Sequence, residues 1–355
     1  MKKMKHAIAL GMSLLLGLSI LTSCGGGSEK TEETGAEHSK ELTVYAALPE
    51  SELPVYMTAF EEETGIKVNY VRLSAGEILA KLQAEGSNPG ASLWFGGPSD
   101  TFIAANDAGL LEPYQSPELS NVDTQYQDPK SVWNPLYVAA ICFANNSEWF
   151  EAEAMEYPQS WDDLLKPELK GQISIAHPGA SGTAYTVLAA LVQLKGEDEA
   201  FDYLKKMNDN IRQYTKGGSA PPREVGLGEA AVGISFTHDC LKPADEGYPI
   251  ELSFPSEGTG FEIGAVALIK NGKADELENA KAFIDFMVGE KGQGLYGPSK
   301  SFRLPINKNV PAPEGAIPLN ELKLVDYDPI WAGENRERLI TRFNEEIEND
   351  ANLKE

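Results

Sequence analysis

Two unbroken apolar runs, Leu136 to Phe143 (LYVAAICF) and Phe261 to Ile269 (FEIGAVALI), constrain this chain more than any other feature. A strand with one wet face alternates apolar and polar residues. A run without that alternation marks a strand covered on both faces. Two such strands, far apart in sequence, bracket a middle segment and require layers of helix packed on both sides of a sheet.

The chain around these runs alternates strand and helix. Glu41 to Ala46 (ELTVYA) alternates as a strand, and Ser51 to Glu63 carries Leu53, Tyr56, Met57 and Phe60 at helical spacing. Ile66 to Val71 is a second strand. Ser74 precedes a helix with Ile78, Leu79 and Leu82 on its apolar side, and Ala91 to Phe95 leads into Gly96, Gly97, Pro98 and Ser99. A β-α-β-α-β rhythm predicts a parallel sheet. In such sheets ligands collect at the carboxyl ends of the strands, where Ala47, Ser74, Gly97 and Ser99 all fall.

The same logic is densest between Ile173 and Leu194 (ISIAHPGASGTAYTVLAALVQL). A short strand breaks at Pro178 and Gly179 and resumes as a helix whose first residues are Ser181, Gly182, Thr183 and Ala184. Hydroxyls and unpaired first-turn amides then share one direction, with the positive end of the helix dipole behind them. An anion is held at such a place without any nearby Lys or Arg. Taken alone, Ser181 is also what an ordinary helix cap looks like. Gly217, Gly218 and Ser219, ahead of Pro221, form a second candidate anion nest.

The amino terminus carries three lysines in its first five residues, an apolar stretch from Ala7 to Ile20, and Leu21, Thr22, Ser23 before Cys24. This pattern resembles a bacterial lipoprotein signal, residues 1–24, with Cys24 as the lipidated first residue of the mature chain. Residues 25–40, rich in Gly, Ser, Thr and Glu, bury too little to fold and are expected to act as a tether. The chain from Glu41 onward exceeds one compact core and predicts two lobes. Thirty Lys and Arg against 54 Asp and Glu give a formal charge of −24, which repels nucleic acid. Cys142 and Cys240 read as two buried thiols, although export would permit pairing.

Read in order, TVYAA, EEETGIKVNY, ASLWFGGPSDTFIAANDAGLLEPY, LYVAAICFANN, PQSWDDLLKPELKGQISIAHPGASGTAYTVLAAL and EIGAVALIKNGKADELENAKAFIDFMVGEKGQ resemble the ferric-ion-type solute-binding proteins of ABC importers. The resemblance implies a type II periplasmic-binding-protein fold. It consists of two α/β lobes, each a mostly parallel sheet flanked by helices, joined by hinge strands near Cys142 and Gly264. Lobe 1 is then 41–141 plus 265–355, and lobe 2 is 142–264. It also implies an extracytoplasmic, lipid-anchored monomer that serves a permease and its ATPase, with no cofactor.

Iron-binding members carry two adjacent tyrosines after the strand that ends here at Ser235, because phenolates are hard donors suited to Fe³⁺. Phe236, Thr237, His238 and Asp239 stand there instead, and no Tyr-Tyr pair occurs in the chain. His238, Asp239 and Glu262 are similar to the hexose-phosphate-binding subgroup, in which the corresponding residues grip sugar hydroxyls. A His-Asp pair at a strand end is by itself an ordinary exposed loop. Glu262 is different, because a carboxylate inside an apolar run needs a partner or a cleft. The expected ligand is a phosphorylated hexose, with an organophosphonate such as 2-aminoethylphosphonate, or ferric ion, as alternatives. Only His177 and His238 lie in the folded part, and no GxSxG, HExxH or GxGxxG motif appears. The chain therefore reads as a binding protein and not as an enzyme.

Overall fold

The computed structural model describes residues 39–348. The expected signal, Cys24 and nearly all of the tether lie outside the described residues. In chain order the first half runs β1 (Glu41–Ala46), α1 (Leu53–Thr64), β2 (Lys67–Arg72), α2 (Ala75–Glu85), β3 (Leu93–Pro98), α3 (Ser99–Asp107), β4 (Leu111–Glu112), β5 (Asn134–Asn146) and α4 (Ser147–Ala152). Then come β6 (Ile173–Ala176), α5 (Gly182–Lys195), α6 (Glu197–Met207), β7 (Ile211–Thr215), α7 (Ala220–Gly226), β8 (Val232–Phe236), α8 (Thr237–Asp245), β9 (Ile250–Ser253) and β10 (Phe261–Ile269). The chain closes with α9 (Leu277–Val288), α10 (Glu290–Gln293), β11 (Leu304–Pro305), α11 (Pro329–Glu334) and α12 (Arg336–Phe343).

The strands share one path, β2-β1-β3-β10-β5-β8-β6-β7. Pairing is parallel within β2-β1-β3 and within β8-β6-β7. Every pairing of the two long apolar strands is antiparallel, so the sheet is mixed at its centre. All thirteen residues of β5 are buried, as a strand covered on both faces requires. The first eleven residues of α5 are buried too, and a helix apolar on every side must lie inside the protein.

Two hydrophobic cores follow from this path. The first gathers Leu42, Phe60, Trp94, Phe95, Phe283 and their neighbours, and takes β5 up to Val138. The second begins at Ala139 and holds Phe143, Trp161, Tyr185, Leu188 and Phe201. The change of core on β5 thus falls a few residues before Cys142, and on β10 just before Gly264. In the last stretch, Tyr327, Ala332, Leu339, Phe343 and Ile347 pack into the second core. This stretch is polar overall, so its few apolar contacts are set by tertiary packing rather than by a sequence period. Tyr327 also reaches back to the first lobe, where the Asp100 carboxylate accepts from the Tyr327 hydroxyl at 2.9 Å and from Thr186 at 3.0 Å.

Cys142 and Cys240 are buried free thiols in a small third cluster with Val225 and Ile250. Among the described residues no helix is long and apolar enough to cross a membrane.

Candidate ligand-binding site

The carboxyl ends of the strands and the helix starts that follow them enclose a small cavity. Residues from both lobes line it. Of the residues singled out in the sequence, Ala47, Ser74, Gly97, Ser181, Gly182, Thr183, Gly218, Ser219, His238, Asp239 and Glu262 line it. Ser99 and Ala184 do not. Ser99 is buried at the first position of α3, and the Ala184 amide donates to the capping Ser181 Oγ at 3.5 Å.

One end of the cavity is built for negative charge. The N-termini of α2 and α5, one from each lobe, meet there: a Cβ placed on Gly182 would lie 3.2 Å from the Ala75 Cβ. The first turns of both helices face the same spot, with two dipoles converging on it. The Glu77 carboxylate accepts from the Ser74 amide at 2.9 Å, while Ser74 Oγ is buried without a hydrogen-bond partner among the described residues. Gly217 and Gly218 close the same end. A Cβ on Gly217 would lie 3.4 Å from Ser74 Oγ, and one on Gly218 only 2.1 Å from Thr183 Oγ1. Only glycine fits at position 218, where the loop approaches Thr183 so closely.

A basic residue stands at this end beside the helix starts. Arg72, the last residue of β2, lines it, its Nε donating to the Leu48 carbonyl at 3.2 Å. No ion pair holds its guanidinium among the described residues. Arg72 ends a strand two residues before Ser74, so the rule that pointed to Ser74 also reaches it.

The other end is a buried polar floor. Phe236 ends β8, and His238 and Asp239 stand in the first turn of α8, so the His-Asp pair is helix rather than exposed loop, with His238 buried and Asp239 partly buried. The His238 ring stacks on Phe236 with centroids 5.7 Å apart. Glu262, second residue of β10, pairs with Ala139 and projects into the cavity beside it. His238 Nδ1 lies 3.8 Å from Glu262 Oε1, and His238 Nε2 lies 3.7 Å from the Asp239 carboxylate. Both separations exceed a hydrogen bond. Nδ1 of His238 and Oε1 of Glu262 are accordingly buried without partners.

Burial sets the charge states on this floor. It pushes the Glu262 carboxyl well above the usual carboxylate range, against the pull of Arg303. It raises Asp239 to about 6. Burial, helped by the Arg303 charge, keeps the His238 imidazole neutral. Tyr137, which also lines the cavity, is held as a protonated phenol by burial and by the Glu262 charge. Arg303 itself lies on this floor, its Nη1 paired with the Glu52 carboxylate and its guanidinium 4.8 Å from the Tyr137 ring centre. Neither Tyr137 nor Arg303 was legible in the sequence. Tyr137 reads as one more apolar residue of a buried strand, and Arg303 stands in chain with no period.

The arrangement can take a ligand with an anion at one end and several hydrogen-bonding groups at the other. Among the described residues no group of three or more His, Cys, Asp and Glu side chains could hold a metal ion.

Comparison with known proteins agrees with this geometry. A Haemophilus influenzae protein of undescribed function is 36% identical over 323 residues, 88% of this chain and 93% of that one. The structure of the periplasmic binding protein AfuA from Actinobacillus pleuropneumoniae, with exogenous fructose-6-phosphate bound, superposes with a TM-score of 0.84. It is 38% identical and covers 87% of this chain and 99% of its own. An Fe(3+)-binding periplasmic protein of Serratia marcescens is 25% identical over 327 residues, 90% of this chain and 93% of that one. Residues 99–330 match the model of the bacterial extracellular solute-binding proteins, and with a two-lobed fold closed on a cavity of this kind the chain belongs to that family.

Proposed function

We propose that the protein captures a phosphorylated hexose in the cleft between its lobes and delivers it to an ABC importer, anchored outside the cytoplasm through a lipid on Cys24. The observation that carries this reading is the polarity of the cavity. Two helix N-termini and Arg72 converge at one end, and Glu262 Oε1 and His238 Nδ1 stand buried and unpartnered at the other. A phosphate suits the first end, where dipoles and a guanidinium supply charge-assisted hydrogen bonds. Sugar hydroxyls suit the second, since each both donates to a carboxylate and accepts from a neighbouring donor. AfuA, the structural neighbour named above, was solved with a sugar phosphate bound.

Closure follows from the same geometry. With the cleft empty, two positive helix ends and Arg72 oppose one another as the lobes approach. A bound phosphate replaces that repulsion with attraction from both sides. The closed state is therefore favoured only when the anion is present, which is how a ligand with different affinity for two states shifts their populations.

Ferric ion is the poorer fit. The adjacent tyrosines that iron-binding members use are missing, and Tyr137, which lines the floor, is held protonated. A small organophosphonate would satisfy the anion end alone and leave the floor's orphan groups unmatched. We further propose that the protein acts as a monomer, turns nothing over and needs no cofactor.

A thermal-shift series with glucose 6-phosphate, 2-aminoethylphosphonate and ferric citrate tests the reading. A ligand at 100 times its dissociation constant stabilises by about 2.7 kcal/mol. Stabilisation by the hexose phosphate alone supports the proposal, and stabilisation by ferric citrate alone overturns it.

A further inference from the structure

Arg303 is carried into the cleft by an unfavourable piece of backbone. Lys300 (φ 51°) and Phe302 (φ 54°) both occupy the left-handed region that residues with side chains avoid, and Ser301 between them is fully buried. The result is a guanidinium that is 1% exposed, lines the cavity floor and keeps its Nε without a partner among the described residues. Buried guanidinium nitrogens left unpaired are costly, so this one awaits an acceptor.

We propose that Arg303 sets the head-group specificity of the cleft, excluding ligands that carry an ammonium opposite their phosphate and selecting those that carry uncharged hydroxyls there. This rests on the phosphate-ester reading above and makes it more specific. Asp239 and Glu262 alone would attract an ammonium as readily as a diol. The floor as a whole would not. Arg303 and Lys242 face the carboxylates of Glu52 and Asp239, with Lys242 Nζ 3.7 Å from Glu52, while burial holds Glu262 toward its uncharged form. An ammonium entering here gains little net attraction, loses its hydration and meets a buried cation. It also offers only donors, so it leaves Arg303 Nε unmatched. A hydroxyl gives its proton to Glu262 Oε1 and its lone pair to Arg303 Nε.

The test begins with the unaltered protein and an isosteric pair, 2-aminoethylphosphonate and propylphosphonate, measured by calorimetry beside glucose 6-phosphate. The ammonium compound is expected to bind no tighter than its methyl counterpart. A tenfold preference for the ammonium would overturn the proposal. The double variant Glu52→Gln/Arg303→Gln removes the buried pair together, and Arg303→Lys keeps the charge. The ratio of glucose 6-phosphate to 2-aminoethylphosphonate affinity should fall at least tenfold in the double variant and hold within a few-fold in Arg303→Lys. A merely structural Arg303 would lower both affinities alike, leave the ratio unmoved and refute the proposal. Absence of any phosphate-ester binding by the unaltered protein would instead sink the parent reading, and this inference with it.

Discussion

Gly76, the second residue of α2, faces Gly179 of the opposite lobe so closely that a Cβ there would lie 2.3 Å from the Gly179 carbonyl oxygen and 2.6 Å from that of Ala180. Both obstacles are backbone, so neither can rotate aside. The lobes meet here through bare peptide. Gly76→Ala should therefore leave the open protein intact while blocking full closure. Overpacking of this kind costs about 1–3 kcal/mol, and it falls on the closed state alone. The expected result is an unchanged melting temperature without ligand and an affinity for hexose phosphate weakened roughly ten- to a hundredfold. Small-angle scattering should show reduced compaction on ligand addition. Full compaction and undiminished affinity would mean that the lobes adjust without this contact.

The anion end makes a separate claim. Thr183→Val removes a hydroxyl that lies against Gly218, and Arg72→Ala removes the guanidinium that lines that end. Hydrogen bonds to charged groups are worth about 1.5–3 kcal/mol, so each variant should weaken hexose phosphate and inorganic phosphate by about that amount. The unphosphorylated sugar should not respond. Equal losses for sugar and sugar phosphate would show that the two residues hold the cleft's shape and not its anion.

Much of this was legible from periodicity. β6 and β10 have the limits that their apolar runs predict, Ile173–Ala176 and Phe261–Ile269, because each run stops where turn residues begin, at Pro178 and at Asn271-Gly272. Ser74 and Ser181 stood out because caps are local chemistry. The rest depends on contacts made far away in sequence. α8 (THDCLKPAD) holds a proline and has no clear apolar stripe, so its helix and the burial of His238 come from packing beneath β5 and β8. β7 is short, and only its neighbour β6 makes it a strand. Arg303 is the extreme case. Nothing within several residues of it has a period, and its place is fixed by Glu52, Tyr137 and a strained turn.

Asp239 links the site to stability. Its carboxyl stands at about 6 in the fold against 3.8 unperturbed, chiefly because burial disfavours the charge. A raised folded value means a contribution that is fully present below about pH 3.8 and lost as pH rises through about 6. Above that, the ligand-free protein holds a buried charge at a cost on the order of 3 kcal/mol. Asn cannot ionise. Asp239→Asn should therefore gain stability relative to the unaltered protein as pH rises from about 4 to 8, measured by urea unfolding without ligand. A difference that stays flat across that range would place Asp239 in water.

Glu262 provides the sharpest test of the sugar end. Burial drives its carboxyl toward the protonated form in the empty cleft, whereas a hydroxyl donating to Oε1 favours the carboxylate. Ligand binding should therefore lower its affinity for the proton and release protons to solvent. The second ionisation of the ligand's phosphate, near 6, is common to both proteins, so the difference in protons released between the unaltered protein and Glu262→Gln isolates this carboxyl. Calorimetry in buffers of different ionisation enthalpy counts them. Glu262→Gln keeps the shape of the side chain but has no proton to lose. It should abolish most of the release and weaken hexose phosphate by about 1.5–3 kcal/mol. Inorganic phosphate should bind the variant no worse than the unaltered protein, because it reaches only the helix ends. If both proteins release the same number of protons, the carboxyl of Glu262 does not meet the ligand, and the polar floor is part of the fold instead of part of the site.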